Sequence, residues 1–125
     1  MIVDTNALSA FADGSSLAIT ALQAAGDVSV PVIVLGEFRY GIKHSRRRRE
    51  YEAWLDLYLP VFRVLDITVE TAFEYAQLRS ELRHLGKPIP ANDVWIAALC
   101  RQHGLPLLSR DAHFDHVRRL RRQAC

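Results

Sequence analysis

Short apolar runs set between helical stretches constrain this chain more than any other feature. Met1-Ile2-Val3, Val28-Ser29-Val30, Val61 to Ile67 and Pro106-Leu107-Leu108-Ser109 each suit a buried strand. The segments between them carry helical spacing or helix punctuation. That alternation predicts an α/β fold, a three-layer α/β/α sandwich whose central sheet is mainly parallel. Ligands in such sheets bind beyond the carboxyl ends of the strands. Asp4 closes the first run and Asp111 lies just past the fourth, so both belong to that rim.

The helices are read from their stops and starts. Asp13-Gly14-Ser15-Ser16 is a turn and helix-start signature, and Leu17 to Ala25 is helical until Gly26 stops it. Pro31 suits the first turn of a helix from about Val32 to Tyr40. A polar helix from roughly Arg47 to Leu59 follows, broken by Pro60. Thr68 caps a long helix to Leu85, with Val69, Ala72, Phe73 and Ala76 as its apolar stripe. Asn92 caps another that runs to His103 and closes at Gly104. A short helix near Phe114 ends the series.

With 125 residues, half hydrophobic and 24% charged, the chain has material for one core and is read as a single domain over residues 1–125. No apolar run approaches the ~18 residues of a membrane helix. Met1-Ile2-Val3-Asp4 carries no basic leader or cleavage site, so no secretory signal is expected. Cys100 lies in an apolar run and Cys125 is the last residue, which argues against a disulfide framework and fits a reducing cytoplasm. The net charge of +2 decides nothing about partners. Its distribution is more useful: Lys43, His44 and Arg46 to Arg49 form one basic cluster, and Arg118, Arg119, Arg121 and Arg122 another. Either contacts phosphate or simply solvates a helix or tail.

Four acids are the candidate chemistry. Asp4 directly follows apolar residues at a strand end, where it is poorly hydrated unless compensated, or serves as a helix N-cap. Glu37 shares a helix face with Ile33, Val34 and Tyr40 and needs a salt bridge or a cation. Asp93 aligns with Ile96, Ala97 and Cys100 in a first helical turn, which favours an anion in either role. Asp111 follows a strand and is either a site residue or a turn aspartate. Asp115 stands four residues on as a lesser candidate. Acids gathered at one rim raise each other's pKa unless cations neutralise them. Oxygen ligands select hard ions, so Mg²⁺ or Mn²⁺ is expected rather than zinc. His113 and His116 read as solvent-facing.

These residues resemble the PIN-domain family, specifically the VapC-type toxin nucleases of toxin–antitoxin pairs, over nearly the whole chain. The likeness rests on Ile2-Val3-Asp4-Thr5-Asn6, then Glu37, then Asn92-Asp93 with Ile96-Ala97-Ala98, then Ser109-Arg110-Asp111-Ala112-His113-Phe114. It implies metal-dependent endonucleolytic cleavage of RNA, with Asp4, Glu37, Asp93 and Asp111 as the acidic pocket. It implies that Thr5, Asn6, Asn92 and Ser109 support ligands or bound water, and it implies a homodimer and an antitoxin that binds over the site. One departure is visible. Members commonly continue into a further apolar strand, whereas only Val117 and Leu120 are apolar candidates here, so the last edge strand is in question.

On this reading one or two ions activate a water for in-line attack and stabilise the leaving 3′-oxygen. Lys43, Arg46, Arg47, Arg48, Arg49 and Arg110 are the candidate RNA contacts. Tyr40 and Trp95 are candidates to stack a base, with core or interface packing as the alternative. Two rivals stand beside it. One is a phosphatase-like hydrolase using Asp4 as nucleophile, which normally wants an acid where Asn6 stands. The other is a metal-free RNA-binding or interaction domain whose acids are caps and salt bridges.

Overall fold

The computed structural model describes residues 1–125. Five strands, β1 (Ile2–Val3), β2 (Ser29–Pro31), β3 (Arg63–Leu65), β4 (Leu107–Leu108) and β5 (Arg122–Gln123), form one sheet in the order β3-β2-β1-β4-β5. Every neighbouring pair is parallel, so the expected mainly parallel sheet is wholly so. Six helices flank it: α1 (Thr5–Ala12), α2 (Ser16–Ala25), α3 (Val32–Lys43), α4 (Arg48–Tyr58), α5 (Val69–His84) and α6 (Ala91–His103). This is the three-layer arrangement expected of alternating strands and helices.

The strands are short, and the central ones are covered on both faces. Ile2, Val3, Val30, Leu107 and Leu108 are each fully buried, so two or three residues suffice to anchor a strand. They join one cluster with Leu8, Val34, Leu78, Ile96, Leu99 and Phe114. Strand order runs outward from β1 to β3 and then returns to β4 on the other side. The reversal opens a crevice between the carboxyl ends of β1 and β4, where such sheets bind ligands. Helices here run against the strands, so α3 and α6 begin at that same rim.

Several sequence expectations need correction. A helix over residues 5–12 was foreseen only through the N-cap alternative for Asp4, because Thr, Asn and Ser are modest helix formers; the Asp4 cap and the buried Ala7, Leu8 and Ala10 hold α1 in place. Asn92 does not cap α6: Pro90 holds the N-cap position without a side-chain bond, and Asn92 is the second helical residue. The stripe foreseen on α5 faces outward: Val69 is 84% and Phe73 64% exposed, while Thr71, Leu78 and Leu82 are buried. A buried threonine disguised the true face. The Thr71 hydroxyl accepts from Thr68 N at 3.0 Å and donates to Gln102 on α6, so its polar group is satisfied inside. Tyr40 likewise lies off the buried face of α3, which is Val34, Phe38 and Ile42.

The questioned edge strand exists. β5 is polar because its backbone carries the pairing: Leu107 N donates to Arg121 O at 2.9 Å and Ser109 N to Gln123 O at 3.1 Å. An edge strand with one face in water needs no apolar run. No helix is long and apolar enough to cross a membrane.

Candidate metal centre

Four separate elements deliver an acid to the crevice. β1 runs directly into Asp4, which caps α1: its Oδ1 accepts from Thr5 N at 2.8 Å. The N-cap that the sequence offered as one reading of Asp4 is thus present. Ser109, immediately after β4, donates its hydroxyl to Asp4 Oδ2 at 2.7 Å and accepts from Asp111 N at 3.0 Å. Asn6 donates to Asp4 Oδ2 at 3.3 Å and Asp111 Oδ2 at 3.2 Å, and its Oδ1 accepts from Arg110 N at 3.0 Å. These bonds tie the β1–α1 corner to the loop after β4. Glu37, from α3, accepts from the Thr5 hydroxyl at 3.0 Å. Asp93 is the third residue of α6, where free helical amides favour a negative charge.

Together Asp4, Glu37, Asp93 and Asp111 line a cleft of about 670 Å³, with Thr5, Asn6, Asn92, Ser9, Pro90 and Ala91 as its other walls. The exposures grade from Asp4, buried at 3%, through the half-buried Glu37 and Asp93 to the exposed Asp111. Burial pushes the Asp4 carboxyl up; the bonds from Ser109 and Thr5 oppose this, and the charges of Asp111 and Glu37 add to it. Asp93 is pushed up to about 6, first by burial and then by the Asp4 charge, with His113 pulling the other way and Asp111 and Glu37 pushing further. Two acids that resist ionisation beside two more make a cleft that favours a cation.

Not every foreseen residue comes to the cleft. Asp115 faces away and is gripped by Arg122, whose Nε and Nη2 donate to its two oxygens at 2.8 and 2.9 Å. Trp95 stacks on Tyr75 at 4.0 Å between centroids, which makes it part of the α5–α6 contact. Tyr40 is 70% exposed and packs only edgewise on His44. In the first basic cluster Arg47 pairs with Glu50 and Arg48 with Glu52, leaving Lys43, Arg46 and Arg49 without an acidic partner.

His113 is the residue that sequence reasoning misplaced. It does not face solvent freely: its side chain is 31% exposed and Nε2 lies 2.9 Å from Asp93 Oδ2. That nitrogen is out of water and makes no hydrogen bond of acceptable geometry, so the contact is close but poorly aligned. Ligand atoms of Asp93, Asp111 and His113 lie within 4.8 Å of one another. A signal was available in the sequence, since His113 stands two residues after Asp111 and just before a phenylalanine. Fully buried Phe114 turns the intervening chain inward.

An orphaned imidazole nitrogen and two carboxylates within that distance form a donor set suited to a divalent ion. The asparagine and hydroxyl bonds to the acids are the supporting shell that such a site needs.

Comparison with known proteins gives consistent matches. The PIN domain family model matches residues 1–120. A Haemophilus influenzae protein named ribonuclease VapC2 is 33% identical over 100 residues, covering 79% of this chain and 76% of its own length. A Rickettsia felis protein also named ribonuclease VapC2 is 32% identical over 71 residues, 57% of this chain, and the match spans only 53% of that relative. The solved structure of VapBC2 from Rickettsia felis, bound to a DNA fragment from its promoter, superposes with a TM-score of 0.89 at 22% identity. That superposition covers 99% of this chain and 97% of the other.

Proposed function

The chain belongs to the PIN-domain family, and from that premise we propose that it is a Mg²⁺- or Mn²⁺-dependent endoribonuclease, the toxin of a toxin–antitoxin pair. The observation that carries this is the convergence of Asp4, Glu37, Asp93 and Asp111 from four elements onto one cleft. Relatives named as ribonucleases add the substrate class.

Residues divide the work by their hydrogen bonds. Asp4 has both oxygens engaged by Thr5 N, Ser109 and Asn6, so it is a fixed charge deep in the cleft. Asp93, Asp111 and Glu37 each keep an oxygen free of protein donors and would hold the ion, with Thr5 and Asn6 fixing the orientation of Glu37 and Asp111. Asn92 lines the cleft with its side chain uncommitted, available to a water or a phosphate oxygen. When bound, the cation supplies Lewis-acid stabilisation of a phosphodiester's developing charge. Asp4 is a poor nucleophile, being buried and fully hydrogen-bonded, which argues against the phosphatase-like rival.

The RNA path follows from neighbouring surface. Thr5, Ser9 and Glu37 also border a second hollow that reaches Gly41, Ser45 and Tyr51. Arg47 lies over the Tyr51 ring at 5.1 Å, at the threshold of the basic cluster. RNA would run from the acids across Glu37 toward Lys43, Arg46 and Arg49, with Arg110 on the opposite lip. Binding of a short single-stranded RNA should weaken with salt. Changing Lys43, Arg46 or Arg49 singly to Ala should each flatten the log Kd against log salt slope by about 0.7. A slope unchanged in all three variants would place the RNA elsewhere.

A cognate antitoxin partner is proposed on the likeness to the VapBC2 complex. A homodimer is supported by the outward apolar face of α5, where Val69, Ala72, Phe73 and Ala76 lie exposed at helical spacing. The proposed cytoplasmic setting fits two cysteines left as free thiols, one of them buried.

A nuclease assay tests the central reading. Purified protein should cut RNA with Mg²⁺ or Mn²⁺, stop with EDTA, and resume when excess ion is restored. Cleavage indifferent to EDTA would overturn metal dependence, and binding without any cleavage would favour the interaction-domain rival.

A further inference from the structure

We propose that His113 Nε2 is a ligand of the cation, completing a site with Asp93 and Asp111, and that this nitrogen makes the protein prefer Mn²⁺ to Mg²⁺. The inference rests on the metal-dependent reading above and goes beyond it, since four carboxylates alone would not distinguish the two ions.

Geometry supplies the first argument. Nε2 is buried and lies 2.9 Å from Asp93 Oδ2, an ion-pair distance, yet the contact is too poorly aligned to be a hydrogen bond. A buried ring nitrogen left without an aligned hydrogen-bond partner is costly, on the order of 1–3 kcal/mol. An ion between His113, Asp93 and Asp111 would satisfy it, because one ligand atom from each lies within 4.8 Å of the others. Small rotamer changes would draw donors at that spacing onto bonds of about 2.0–2.2 Å.

The ring is also held ready. His113 lies in the 3₁₀ turn Ala112–His116, packed against Phe114 with ring centroids 4.7 Å apart. Phe114 is fully buried, and Asp111 is fixed by Asn6 and Ser109 at the other end of the turn. His113 does not form the cleft wall, so it can meet an ion from the protein side while the cleft side stays open to substrate.

Chemistry supplies the preference. Mg²⁺ takes oxygen ligands and sheds water reluctantly, whereas imidazole suits transition ions. A site that adds one imidazole to these carboxylates therefore favours Mn²⁺.

Electron spin-echo spectroscopy of the Mn²⁺-loaded wild-type protein reads this directly. Modulation from a directly bound ¹⁴N is expected, and it should vanish in His113→Ala and His113→Gln. Mn²⁺ affinity should fall at least tenfold in both variants, with Mg²⁺ affinity, measured by competition, changing less than threefold. Bound Mn²⁺ that is displaced by Asp93→Asn but shows no ¹⁴N modulation would overturn the role of His113 and leave the metal-dependent reading standing. Equal loss of both ions in the variants would overturn the preference. Absence of any Mn²⁺ binding would remove both readings together. The wild-type spectrum requires no variant, so misfolding of a substituted protein cannot mask the answer.

Discussion

Asp93→Asn is expected to lower metal-dependent RNA cleavage at least a thousandfold while making the metal-free protein more stable at neutral pH. The two effects have one cause. Asp93 is held near 6 by burial and by the Asp4 charge, against an ordinary value of 3.8. A carboxyl whose folded pKa is raised contributes stability that is full below about pH 4 and is lost as pH climbs through about 6. At pH 7 the metal-free wild-type protein therefore carries an ionised Asp93 in a place that disfavours it. A rise of this size corresponds to at most ~3 kcal/mol. The side chain keeps 15% exposure and sits beside His113, so about 1–2 kcal/mol is the expected gain on making it neutral.

With metal the sign reverses. The charge that strains the empty cleft is what an ion binds, so Mn²⁺ should raise the wild-type melting temperature and leave Asp93→Asn nearly unmoved. An ion at a hundred times its Kd stabilises by ~2.7 kcal/mol. A thousandfold rate loss corresponds to ~4 kcal/mol of transition-state stabilisation, within what a metal supplies. Thermal melts of both proteins between pH 4 and 8, with EDTA and with Mn²⁺, check all of this. Identical metal-free pH profiles would show that Asp93 is not strained, and undiminished cleavage by the variant would remove it from the site.

The strand–helix alternation made the architecture legible in the sequence, because buried strands such as Ile2-Val3 and Leu107-Leu108 have no polar residues to blur them. The positions of Asp4 and Asp111 at strand ends were legible for the same reason. What escaped was set by tertiary partners. Thr71 is polar yet buried because Gln102 receives its hydroxyl, so the apolar stripe of α5 pointed to the wrong face. Asp115 and Arg122 read as a site acid and a tail cation, but they serve each other across seven residues. β5 carried no hydrophobic signal because an edge strand is specified by backbone pairing. His113 looked like a surface residue because nothing local announces that its neighbour Phe114 is driven into the core.

That neighbour predicts the largest stability effect. Phe114→Ala should cost about 3–5 kcal/mol, since Phe114 is fully buried in the main cluster and its removal leaves a cavity among side chains that cannot all collapse into it. A protein of this size has about 5–15 kcal/mol in total, so the variant should melt roughly 10–20 °C lower. The loss is not only global. The turn Ala112–His116 has few bonds of its own: Val117 N donates to Phe114 O at 3.0 Å, and Phe114 N reaches Asp111 O at a long 3.4 Å. Phe114 is what fixes it, and with it the two side chains on either side of the bend, Asp111 and His113. Mn²⁺ affinity should therefore fall even at temperatures where Phe114→Ala remains folded. Phe114→Leu, which refills much of the volume, should recover most of the stability and most of the affinity together. Full stability loss with unchanged ion affinity would show that the turn is held by something other than its phenylalanine.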